Sequence, residues 1–161
     1  MLRLLFRLPI AIAGAVLFFL MAMTFCDVIM RSAFNAPIEA ATELTKLSVA
    51  LVVFATLPTI SFRGEHIAVD LLDPLFSGRG LARLRDAVIA LACGVMLIWP
   101  ALYVQVLAER ARSYGDRTEY LEIPQFIVGY FIFIMCALTI VALIVKGVLL
   151  LVAPRLVEDA L

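Results

Sequence analysis

Few residues in this chain have side chains able to do chemistry, and one stretch gathers most of them. Ser61 to Asp73 carries Arg63, Glu65, His66, Asp70 and Asp73 between two almost wholly apolar runs. His66 is the only histidine in the sequence. A haem held between two histidines is therefore excluded within the chain, and so is a histidine-cluster metal site. His66 reads as a structural hydrogen-bonding group rather than a ligand. Cys26, Cys93 and Cys136 each sit alone in an apolar run, at spacings that fit neither a metal site nor a Cys-x-x-C redox pair. They read as small apolar filler. The sequence has no glycine-rich phosphate loop and no nucleophile elbow. No catalytic residue, cofactor or metal site emerges, and an enzyme is not expected.

The elements that must position these groups follow from composition. Of 161 residues, 65% are hydrophobic and 16% charged. Soluble domains hold roughly 45–50% apolar residues, so this excess needs lipid as its solvent. Thirteen basic residues offset thirteen acidic ones, and no basic patch points to nucleic acid. A membrane-spanning helix needs about 20 mostly apolar residues. Four runs qualify, at about residues 8–30, 44–62, 87–107 and 123–152. Each must be helical, because hydrocarbon offers backbone groups no partner outside their own segment. The basic N-terminus resembles the start of a signal peptide. The apolar run after it is too long for one, and no small-residue cleavage site closes it, so it reads as a retained first span. The expected fold is all-α and integral to the membrane: one four-helix transmembrane domain over residues 1–161.

Between the second and third spans, Ile67, Leu71, Leu72 and Leu75 fall on one helical face, with Glu65, Asp70 and Asp73 largely off it. That pattern predicts a short amphipathic helix lying in the interface. Ser77 to Gly80 reads as a flexible turn. Pro58 and Pro100 fall inside the second and third spans, where each removes a backbone hydrogen bond.

Four spans put both termini on one side. That side carries Arg3, Arg7, Arg63, Arg79, Arg83, Arg85, Lys146 and Arg155; the other carries Arg31, Lys46, Arg110, Arg112 and Arg117. The excess favours both termini in the cytoplasm.

On the side opposite the termini, two charged groups stand out. Glu39, Glu43 and Lys46 recur at helical spacing where the second helix begins. They form either a solvated helix start or a contact with a partner. The connection from Glu109 to Glu122 is the most polar stretch, with Arg112, Asp116, Arg117 and Glu119. Helix formers continue to Arg112, so the third helix is expected to run on until Tyr114-Gly115 stops it. Asp27 and Arg31 are spaced for an i, i+4 pair at the end of the first span. No span holds a pair of mid-membrane carboxylates, and none is broken by clustered Gly and Pro as substrate-binding helices are.

Several strings together resemble a known family. They are Asp27-Val-Ile-Met-Arg31, then Phe34-Asn-Ala-Pro37, Glu43-Leu, and Arg63-Gly-Glu-His-Ile67 with Val69-Asp70-Leu71. Glu122-Ile-Pro124 before the fourth span also fits. The chain resembles the small membrane (permease) subunit of tripartite ATP-independent periplasmic (TRAP) transporters, of the DctQ type, by motif over about residues 14–76 and by span count beyond. The resemblance implies an accessory subunit of a sodium-coupled symporter for organic acids in a bacterial inner membrane. A periplasmic substrate-binding protein would capture a carboxylate. A separate large permease subunit would hold substrate and sodium and move elevator-fashion. This chain would brace the large subunit's scaffold. Its candidate interface or structural residues are Glu39, Glu43, Lys46, Arg63, Glu65, His66 and Asp70. Its candidate binding-protein contacts are Arg112, Asp116, Arg117 and Glu119.

Two other readings compete. A stand-alone small carrier would want an acid in mid-span, and Asp27 lies near a span end. A membrane anchor for a respiratory enzyme would want histidines for haem or quinone, and the chain has one.

Overall fold

A computed structural model describes the backbone of residues 2–64 and 79–152, with side chains over 11–64 and 83–152. Four helices follow in order: α1 (Leu2–Phe34), α2 (Ala41–Arg63), α3 (Arg79–Tyr114) and α4 (Gln125–Val152). Among the described residues, all four contain stretches long and apolar enough to cross a membrane. The second and fourth match the spans read from sequence to within three residues. α1 runs beyond its expected span at both ends. α3 starts at Arg79 rather than Ala87, so the turn expected over 77–80 does not include Arg79 and Gly80. The reason is local: Leu81 to Asp86 are mostly good helix formers, and hydropathy alone undercounts a helix whose first turns are charged. The amphipathic helix expected after Gly64, with Glu65, His66, Asp70 and Asp73, lies outside the described residues.

The ends of α1, α2 and α3 have identifiable stops. Asn35 adopts a left-handed φ of 51° after α1, and the Ala36 N–H reaches the Met30 carbonyl at 3.2 Å. α2 opens where the Ala41 N–H bonds the Ile38 carbonyl at 2.9 Å. It closes at Gly64, with φ 73°. The end of α3 is a Schellman motif. Gly115 takes φ 70°, its N–H points to the Arg112 carbonyl at 3.4 Å, and the Asp116 N–H bonds the Ala111 carbonyl at 3.0 Å. A glycine suits this position because a Cβ in the left-handed region crowds the next carbonyl. Tyr114-Gly115 ends α3 as its sequence predicts.

The described residues group into two compact units. The first comprises Met1–Thr56 and Val104–Phe133, the second Leu57–Tyr103 and Ile134–Leu161. In both, the buried positions belong to small residues. The first buries Ala13, Ala41 and Ala108; there Gly129 of α4 lies so near α3 that an added Cβ would stand 2.7 Å from the Ala108 Cβ. The second buries Thr59, Ser61, Ala87, Ala90, Ala101, Cys136 and Thr139, and a Cβ on Gly147 would stand 3.2 Å from the Ala87 carbonyl oxygen. This is the packing a lipid solvent selects. Lipid tails are as apolar as Leu, so helices gain by close backbone approach rather than by hiding large side chains. The large side chains point outward accordingly: Phe18 is 68% exposed and Trp99 82%. The buried Thr139 hydroxyl donates to the Met135 carbonyl at 2.8 Å, so its polar atom is satisfied within its own helix.

Candidate functional site

The first unit holds a cluster of charged groups at the two short connections, 35–40 and 115–124. Two carboxylates organise it. Asp27, in the last turns of α1, bonds Arg31 at 3.1 Å, as the spacing predicts. Its other oxygen accepts the Ile38 N–H at 2.8 Å. Asp27 therefore does more than pair with its neighbour on the helix. It ties the end of α1 to the backbone just before α2, and its side chain is only 13% exposed.

Glu43 does the equivalent work from α2. One carboxylate oxygen accepts the Tyr120 N–H at 2.9 Å and the other the Leu121 N–H at 3.0 Å. A two-oxygen acceptor facing two successive backbone donors is a strong arrangement, because ionised acceptors make short, charge-assisted bonds. The expected charged stripe is thereby revised. α2 starts at Ala41, so Glu39 precedes the helix. Glu39 and Lys46 are exposed, while Glu43 is half-buried against the 115–124 connection.

That connection is a small built structure. The Thr118 N–H bonds the Ile123 carbonyl at 3.0 Å, and the Gln125 N–H bonds the Asp116 carbonyl at 3.0 Å. The Thr118 hydroxyl accepts the Ile123 N–H at 3.1 Å. Arg117 and Pro124 pair as an isolated antiparallel bridge. Glu122 takes a left-handed φ of 49° to close the turn. Arg112, Asp116, Arg117 and Glu119 all lie on the exposed side of this structure. Arg117 and Glu122 approach to 4.0 Å, both largely exposed, a pairing that contributes little. Where α3 and α4 leave the connection, the Tyr130 hydroxyl donates to Glu109 at 2.8 Å.

The second unit holds the other candidate group in part. Arg63 is the last residue of α2 and is half-buried. Glu65, His66 and Asp70 lie outside the described residues. Lys146 of α4 extends its ammonium to the Ser61 carbonyl at 3.5 Å. That carbonyl lies in the last turn of α2. A cation suits this spot because the helix dipole is negative there.

Sequence reasoning missed the amide partners of Asp27 and Glu43. A carboxylate near a helix end is visible in sequence, but the backbone donors it meets are set by tertiary packing. Among the described residues, no three His, Cys, Asp or Glu side chains converge on a point that could hold a metal ion.

Comparison with known proteins adds one finding. The family model described as "Tripartite ATP-independent periplasmic transporters, DctQ component" matches residues 20–152. That range holds Asp27, Glu43, the 115–124 connection, the second half of α1 and the whole of α2, α3 and α4. No curated protein and no solved structure matches the chain.

Proposed function

We propose a role from one premise: the chain belongs to the DctQ component family of tripartite ATP-independent periplasmic transporters. It is a multi-pass membrane protein and the small membrane subunit of such a transporter. Our reading is that it braces a separate large permease subunit in a bacterial inner membrane, with both termini cytoplasmic. The large subunit would carry sodium and an organic acid by an elevator motion, receiving the acid from a periplasmic binding protein. The short connections 35–40 and 115–124 would then face the periplasm. Arg112, Asp116, Arg117 and Glu119 would meet the binding protein there. Arg63, Glu65, His66 and Asp70 would clamp α2 to the segment after it, read as an interfacial helix, or to the large subunit.

One observation supports a protein neighbour in the membrane. Trp99 lies well inside the apolar stretch of α3 and is 82% exposed, with Met96 at 76% and Tyr103 at 59% on the same helical stripe. Tryptophan in contact with lipid belongs at the interface, where its N–H finds water or headgroups. Inside the hydrocarbon that donor has no acceptor unless another protein supplies one. A large permease subunit covering this stripe answers the need.

The test is recovery of the complex. Co-expressed with the large permease subunit and purified in mild detergent, this chain should bring that subunit with it, and Trp99→Ala should lower the recovered ratio several-fold. A clean monomer for the unsubstituted chain would sink the brace reading. Unaltered recovery with Trp99→Ala would move the contact to another face.

A further inference from the structure

The 115–124 connection carries its exposed charges on a backbone that is fixed from two directions. Its base is closed internally, by the Thr118–Ile123 and Asp116–Gln125 backbone bonds. Its tip is held from outside. The Tyr120 and Leu121 N–H groups both turn to Glu43, 77 and 78 residues away in sequence. Tyr120 sits next to Glu119, and its residue is 54% exposed although its backbone is tied. An exposed aromatic beside ordered charges is the composition of an interface anchor. A surface whose backbone is ordered before binding loses less conformational freedom when a partner docks.

We infer that Glu43 is a positioning residue for docking: its carboxylate holds the tip of the 115–124 connection so that Arg117, Glu119 and Tyr120 meet the binding protein preformed. The inference rests on the reading that this connection is the binding-protein contact. Glutamine is the informative substitution. It keeps the length of the side chain but offers one carbonyl oxygen and one NH2 group. The NH2 would face a backbone donor, so one of the two bonds is lost along with the charge that strengthens both. The tip then samples several conformations, and docking must select one.

The experiment uses the assembled membrane complex in nanodiscs, titrated with fluorescently labelled binding protein. Glu43→Gln should weaken the Kd about 3- to 10-fold, the effect of ordering one or two side chains and their backbone on binding. The amplitude, which counts competent complexes, should stay unchanged. Hydrogen exchange should speed at the Tyr120 and Leu121 amides but not at Thr118, whose bond is internal to the connection. Arg117→Glu and Glu119→Lys, tested in parallel, address the docking reading directly. If they weaken Kd and Glu43→Gln does not, Glu43 has no positioning role, and the docking reading survives. If neither charge reversal alters Kd, the docking reading fails and the inference falls with it. If Glu43→Gln lowers amplitude alone, Glu43 serves assembly and the inference is overturned. Unchanged exchange at Tyr120 and Leu121 would overturn it as well.

Discussion

The contact between Gly129 and Ala108 makes a quantitative prediction about what holds α3 and α4 together. A Cβ built on Gly129 lies 2.7 Å from the Ala108 Cβ and 3.2 Å from its Cα. Both atoms are fixed to the α3 backbone, so no side chain can swing away. Carbon atoms rest at about 3.5–4.0 Å, so Gly129→Ala must part the two helices locally by about 1 Å. Overpacking of this kind costs about 1–3 kcal/mol. Alanine's better helix propensity returns about 1 kcal/mol. Gly14 of α1 supplies the control, because nothing lies within 4 Å of the Cβ it lacks. Gly14→Ala should show the propensity gain alone. The propensity term cancels in the difference, so Gly129→Ala should be less stable than Gly14→Ala by about 1–3 kcal/mol. The assay is reversible unfolding in mixed micelles with rising SDS, followed by circular dichroism. The double variant Ala108→Gly/Gly129→Ala moves one methyl from α3 to α4 and restores the space. It should recover most of the loss, giving a coupling of about 1–3 kcal/mol in the double-mutant cycle. Equal stability for Gly129→Ala and Gly14→Ala, or no recovery in the double variant, would refute the close-approach argument.

Three further outcomes follow from the helix ends and the topology. Gly115→Ala must place a Cβ at φ 70°, which should cost about 1–2 kcal/mol in the same titration, while Gly115→Asn costs less because asparagine tolerates the left-handed region. Asp27→Ala removes the acceptor of the Ile38 N–H and should cost about 1.5–3 kcal/mol as a lost bond to a charged group. Arg31→Ala removes only a pair whose basic partner is 66% exposed and should cost less than about 1 kcal/mol. Equal costs for the two would show that the ion pair, and not the backbone tie, holds the connection. With the three native cysteines replaced by alanine, Ser113→Cys should react with a membrane-impermeant maleimide added to intact spheroplasts. Reaction only after lysis would place the termini, and not the short connections, in the periplasm.

Much of the architecture was legible because spanning helices are a local property. Composition decides that a run enters lipid, and lipid then leaves the backbone no alternative to a helix. The Tyr114-Gly115 stop was legible for the same reason, since a left-handed glycine acts on its own neighbours. The beginning of α3 was less legible. Arg79 to Asp86 are charged enough to escape a hydropathy window, yet they continue the helix without a break.

The charged groups divide along another line. Asp27–Arg31 could be read from spacing because both partners share a helix turn. Glu43 could not, because its partners are the backbone amides of Tyr120 and Leu121, and a backbone amide has no identity in sequence. At its position a glutamate beside Lys46 looks like one tooth of a solvated stripe. What sets it apart is the conformation of a connection 77 residues later, whose tip turns two donors inward. That conformation depends on the Schellman stop at Gly115, the left-handed turn at Glu122 and the short base bonds between them. Of these, residue types announced only the Tyr114-Gly115 stop. Only the fold shows two backbone donors meeting one carboxylate, and this is what sets Glu43 apart from its more exposed neighbours Glu39 and Lys46.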